Sequence, residues 1–373
     1  MNISVEQLVT CGLSREEAES WSTQLQDWTA ACDEPLRWKK ITTHLLTPAV
    51  PFAVHELLYA ENYPQLRKRQ LPCPAWFPQP NESSATHVAQ WLADLGLANY
   101  EELHAWSVSH QEEFAAKLTA ALSIRFHRPA GRCCDTSAGI ENVRWFPQAT
   151  MNIVESCFQA DDDALAVIAG DQDNQLEYLT YAQLKALTAR VANGLVELGL
   201  QPGDRVAISM PMTADAVAAF LGIIAAGCAV VTIADSFSAN EMAVRLEITQ
   251  PKWIFIQDEI IRNGKSLPLL EKLANQETVR AIVLRASSSR AIGLRPGDVE
   301  WEDFLSADSV LRCVPRCPED ETTILFSSGT TGHPKAIPWN QTTPIKSASD
   351  AYFHQDIRPA DILCWPTNLG WMM

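Results

Sequence analysis

Between residues 327 and 335 the chain reads SSGTTGHPK. Gly329 and Gly332 can turn backbone N–H groups toward an anion, the hydroxyls of Ser327, Ser328, Thr330 and Thr331 add side-chain donors, and Lys335 adds a full positive charge. Donors and charge at that density suit a polyphosphate. A Walker A loop is excluded: its Gly-x-x-x-x-Gly-Lys-[Ser/Thr] spacing is absent, Gly329 and Gly332 stand too close, and Pro334 precedes the lysine. Loops rich in Ser, Thr and Gly often serve only as flexible connections. Eight specified positions at roughly 7% abundance each would, however, coincide only about once in 10⁹ windows.

Such a loop needs a rigid root, and TTILF at 322–326 reads as a strand running directly into it. From residue 165 onward the texture alternates between short apolar runs (LAVIAG, RVAISM, KWIFI, AIVL) and helical stretches such as YAQLKALTARVANGLVELGL, with a turn at Gln201-Pro202-Gly203-Asp204. Short buried strands between helices imply a parallel α/β sheet. Residues 1–120 are mostly helical in pattern, and the Pro-rich, polar stretch 71–84 suits an extended connection. The expected divisions are 1–80 as a helical extension, 81–150 as a cap and 151–373 as the region that carries the chemistry.

Residues 216–234 carry no charge over about the length of a membrane span. Ala and Gly dominate the run, Asp215 and Asp235 bracket it, and no Lys/Arg cluster or aromatic belt marks its ends. The expectation is a buried helix over 216–226, ended by Gly227, then a buried strand over 229–233. No membrane span is expected.

The 373 residues are 47% hydrophobic and 20% charged, enough for two or three domains with proper cores. A formal net charge of −16 argues against nucleic acid as a partner, because phosphate neutralisation needs clustered Lys and Arg. Ten scattered cysteines and a start without a cationic and apolar leader suit an intracellular, reducing location. Cys313 and Cys317 have no second ligand pair nearby, so no metal site is expected.

The loop SSGTTGHPK resembles the signature of the adenylate-forming superfamily, which includes acyl-CoA synthetases, firefly luciferase and peptide-synthetase adenylation domains. The segments WFPQATMNI (145–153) and TYAQLKALTARVANGLVELGLQPGDRVAISMPM are similar, in order and spacing, to acetyl-CoA synthetase segments, so the resemblance covers residues 90–373. Within that branch the texture is most similar to plant acyl-activating enzymes. The implied fold is α/β: a helical N-terminal cap followed by the parallel-sheet layers of the large N-terminal domain of an adenylate-forming enzyme.

The resemblance implies an AMP-forming ligase in which a carboxylate attacks the α-phosphate of ATP, pyrophosphate leaves, and the thiol of CoA displaces AMP, with Mg²⁺ among the phosphates. Ser327, Ser328, Gly329, Thr330, Thr331, Gly332 and Lys335 would hold the phosphates, Thr330, Thr331 and Lys335 acting in catalysis. Arg262-Asn263-Gly264-Lys265 resembles the Arg-x-Gly-Arg of acetyl-CoA synthetases, so Arg262 and Lys265 would meet CoA phosphates. A solvated basic turn is the competing reading there. The stretch 365–371 (WPTNLGW) resembles the family's Trp-Cys-Thr-Ala-Asp-x-Gly-Trp, which makes Trp371 a wall of the acyl pocket.

Several positions depart from that pattern. Asn368 stands where the family usually has Asp, Ala336 replaces the Gly after the motif lysine, and Asp235-Ser236 replaces a Gly-Gly pair before Phe237-Ser238. The family's Tyr-Gly-x-Thr-Glu segment, ribose-binding Asp and mobile C-terminal domain are expected beyond Met373, so these residues alone are expected not to turn over. Two alternatives stay open: a non-catalytic product that binds a nucleotide or a partner, and an adenylating enzyme with another thiol acceptor. The likeness to plant enzymes implies peroxisome or cytosol.

Overall fold

The computed structural model describes residues 1, 3–76, 78, 80–170, 175–262, 265–286, 293–328, 333–364 and 367–370. It divides into two compact units, Met1–Gly96 and Leu97–Met373.

The first unit is helical. Ser4 and Ser14 each close a capping box at the starts of Val5–Thr10 and Arg15–Ala31, and Asp33 caps Glu34–His44. Leu8, Ile41, Val54, Leu58 and Tyr63 lose all solvent contact between these helices and Phe52–Asn62. The buried Arg37 is satisfied by Asn62, donating to its side-chain and main-chain oxygens at 2.7 Å each. Where polar composition suggested an extended connection, Pro80–Ala85 forms a short helix. Proline at a first helical position forfeits an N–H that would go unpaired anyway.

The second unit is built on a seven-stranded sheet: β1 (Arg205–Ser209), β2 (Ala229–Thr232), β3 (Trp253–Gln257), β4 (Arg280–Leu284), β5 (Val299–Glu300), β6 (Glu321–Ser328) and β7 (Pro334–Asn340). Their spatial order is β5-β4-β3-β1-β2-β6-β7, parallel throughout except for β7, which runs antiparallel to β6. Both faces are covered. Helices α1 (Tyr181–Glu197) and α2 (Ala214–Ala225) pack with Val206, Ile208, Val230 and Phe255, while α3 (Ala239–Thr249) packs Met242 and Leu246 against Ala207, Val231, Ile254 and Ile256. Alternate residues of each strand thus serve opposite layers.

The uncharged run at 216–234 resolves as expected into most of α2, Gly227 at φ +78°, and β2. Among the described residues no helix is long and apolar enough to cross a membrane. LAVIAG departs from expectation. It pairs antiparallel with Leu176–Thr180 in a separate two-stranded sheet, where Leu165 and Ile168 stay exposed.

Candidate functional site

In this sheet the crossover from β1 to β2 runs through α2 on one face, and that from β2 to β3 runs through α3 on the other. The connections reverse direction after β2, so the switch point, outside whose carboxyl strand ends a parallel sheet opens a ligand crevice, lies between β1 and β3. The segment leaving β1 borders that crevice, and those leaving β2 and β6 follow it along the same edge of the sheet. Ser209, the last residue of β1, is fully buried there and its hydroxyl has no hydrogen-bond partner.

The phosphate-loop sequence straddles a hairpin. Ser327 pairs with Lys335 and Ser328 with Pro334 across the β6–β7 ladder, so Lys335 sits on the returning strand, with its side chain exposed. Gly329, Thr330, Thr331 and Gly332 lie outside the described residues. Neighbouring β2 holds the root of β6 by main-chain pairing and by the Thr232 hydroxyl, which donates to the Ile324 carbonyl at 3.3 Å.

Arg262 and Lys265 face each other as register partners at the mouth of a second hairpin, Glu259–Arg262 with Lys265–Pro268. Arg262 also donates to the Asp235 carboxylate at 3.0 Å. That carboxylate is 3% exposed, against 50% for the arginine side chain. Lys272 meets the same segment, its ammonium donating to the carbonyls of Asp235 and Phe237 at 2.7 Å each. Burial pulls the Lys272 ammonium below the ordinary lysine range, and Asp235 opposes that pull.

Gly370 lies against this segment too: a Cβ there would stand 2.7 Å from the Ala234 nitrogen. The turn at Gly370 is closed by the Asn368 side-chain oxygen, which accepts from the Gly370 N–H at 2.9 Å. Asparagine supplies the same acceptor oxygen as the Asp it replaces. Trp371, Trp365 and Pro366 lie outside the described residues.

A model described as AMP-binding enzyme matches residues 154–373. The chain belongs to the AMP-binding enzyme family. Residues 100–157 match the acetyl-coenzyme A synthetase N-terminus, and residues 1–64 match the SAM domain of probable acyl-activating enzymes 17/18. Over its whole length the chain is 36% identical to "Probable acyl-activating enzyme 18, peroxisomal" of Arabidopsis thaliana and 35% identical to "Hexanoyl-CoA synthase" of Cannabis sativa, covering 55% of each. Among solved structures, acetoacetyl-CoA synthetase from Streptomyces lividans superposes with a TM-score of 0.74 at 28% identity, over 81% of this chain and 48% of that one. The chain spans about half the length of the curated relatives it matches.

Within the AMP-binding region, then, the segment after β2 collects contacts from two separate stretches that the sequence singles out independently, at Arg262 and at Gly370. Asp235 shows in the sequence only as a departure from glycine, and Lys272 does not stand out at all. They are 37 residues apart in the chain, and no short-range pattern joins them.

Proposed function

We propose that this chain supplies the ATP-phosphate-binding part of an AMP-forming acid–thiol ligase. In this reading Ser327, Ser328 and Lys335, with the glycines and threonines of 329–332, cradle the departing pyrophosphate while a carboxylate attacks the α-phosphate. The acyl-adenylate is then consumed by CoA. The observation that carries the proposal is the placement of Ser327 opposite Lys335 at the carboxyl end of β6, which pairs with β2. Donors fixed in advance around a developing negative charge are what phosphoryl chemistry gains most from.

Arg262 and Lys265 are assigned to CoA phosphates, Trp371 to the acyl pocket, and Thr330, Thr331 and Lys335 to catalysis. Lysine in place of a second arginine keeps the charge but loses the two-pronged hydrogen bonding of a guanidinium. Among the described residues no three His, Cys, Asp or Glu side chains gather into a metal cage. Mg²⁺ is therefore assigned to the phosphates of the nucleotide, the usual carrier of that ion. Nucleotide chemistry is assigned to residues 151–373, with 1–80 and 81–150 accessory to it. The peroxisomal relatives favour the peroxisome, with the cytosol as the other candidate location.

Calorimetric titration of ATP, and separately of pyrophosphate, into the 373-residue chain tests the reading. Lys335→Ala should weaken both by about tenfold or more, the scale of one charge-assisted hydrogen bond, about 1.5–3 kcal/mol. Unchanged affinities in a folded Lys335→Ala protein would remove the phosphate-site assignment.

A further inference from the structure

Arg245, on α3, is a cation in an apolar seam. Its guanidinium carbon lies 3.9 Å from the ring centroid of Phe237 and 5.3 Å from that of Phe326. Phe237 belongs to the segment that leaves β2 and meets Arg262, Lys272 and Gly370, whereas Phe326 immediately precedes Ser327 in β6. One guanidinium thus bridges the segment after β2 and the end of β6.

The arrangement carries a cost. Nη1 donates to the Glu241 carbonyl at 2.7 Å, but Nε is buried without a hydrogen-bond partner. Met242, Leu246, Phe326 and Ala336 share the surrounding apolar cluster. Burial draws the guanidinium below its ordinary pKa. An unbranched apolar side chain would fill the seam without that desolvation. What it would lack is a flat cation for two aromatic faces, an interaction worth about 0.5–2 kcal/mol per desolvated face.

We propose that Arg245 is a positioning residue of the phosphate site, its guanidinium clamping Phe237 to Phe326 so that the segment after β2 and the root of the phosphate loop move as one. The proposal rests on the phosphate-site reading above and goes beyond it, giving Arg245 a positioning role behind the residues assigned to the phosphates.

The test is calorimetric titration of inorganic pyrophosphate into the full chain and its variants, each with its melting temperature recorded. Arg245→Met should weaken pyrophosphate about tenfold while the melting temperature holds. Arg245→Lys should bind as weakly as the Met variant, because it keeps the charge but not the flat stack. Phe237→Leu, which removes one face and leaves the arginine in place, should weaken binding about threefold and serves as the deciding variant if Arg245→Met does not fold. Parental affinity in Arg245→Met, full rescue by lysine, or a melting temperature that falls in step with affinity would each overturn the clamp. Lys335→Ala separates the two readings: if it loses pyrophosphate while the folded Arg245→Met does not, the clamp alone fails, and if neither loses it, the phosphate-site reading fails and takes the clamp with it.

Discussion

Ser327 and Lys335 are paired residues of one antiparallel ladder, so the hydroxyl and the ammonium are fixed on adjacent strands, not carried on a free loop. Because side chains alternate along a strand, a slip of one residue would turn Lys335 to the opposite face. Ser327→Val keeps the strand preference and removes only the hydroxyl. Pyrophosphate affinity should fall about five- to tenfold, near 1–1.4 kcal/mol, with the melting temperature unchanged, as titration and thermal unfolding together would show.

The Asp235–Arg262 pair is lopsided in burial, and its two partners should respond differently to removal. Arg262→Met strands a carboxylate that is 3% exposed, whereas Asp235→Asn leaves an arginine that can turn to water. Losing one partner of a fully buried pair costs about 3–5 kcal/mol. Half-exposure of Arg262 and the nearby Lys272 reduce that to about 1–2 kcal/mol for Arg262→Met, with less than about 1 kcal/mol for Asp235→Asn. Urea unfolding of both variants checks the order, and equal losses would contradict it.

Gly222 sits inside α2 for a reason that lies 31 residues earlier in the chain. A Cβ there would stand 2.6 Å from Val191 Cγ1 and 2.7 Å from its Cβ, with the Thr188 carbonyl at 3.0 Å. Alanine normally gains about 1 kcal/mol over glycine within a helix. Here overpacking, at about 1–3 kcal/mol, should outweigh that gain and leave Gly222→Ala less stable by chemical denaturation.

Asp215 lies in the first turn of α2, and its carboxyl is held above the ordinary aspartate range by burial, then by Glu177 and Glu302. A carboxyl whose folded pKa is raised costs stability once it ionises, so the cost grows as pH rises through the window above the unfolded value. Asp215→Asn should therefore melt higher than the parent near pH 7. The difference should shrink as the pH falls toward 4, in paired melts across that range. A constant difference would point to some cause other than ionisation.

The thiol of Cys228 is 1% exposed and is pushed up to about 12, chiefly by burial. Thiolate is the reactive form. Ellman's reagent at pH 8 should modify exposed Cys317 and Cys364 in the native protein and reach Cys228 only after unfolding.

Local pattern made much of this architecture readable. The uncharged run at 216–234 declared both its elements, because its small-residue half, its β-branched half and the glycine between them each favour a different backbone. The phosphate loop was readable because its residue types are unusual in combination. Its returning strand was not, since PKAIPWN carries two prolines and a lysine that weaken the strand signal. LAVIAG misled for a related reason: an apolar run of six residues does not say which strand it pairs with, and pairing with LEYLT leaves Leu165, Ile168, Leu176 and Tyr178 exposed. Asp235 was noticed only as a missing glycine, because the arginine that explains it lies 27 residues on, across a tertiary contact.

The pairing of β2 with β6 also bears on how the chain is made. Thr232 and Ile324 are 92 residues apart. At about 5–20 residues per second, β2 therefore waits roughly 5–20 s on the ribosome with one edge unpaired. That edge is AVVT, mostly apolar and β-branched, the kind of template that recruits another strand. Nascent chains stalled before residue 321 should consequently depend on chaperones far more than those stalled after β7 has emerged.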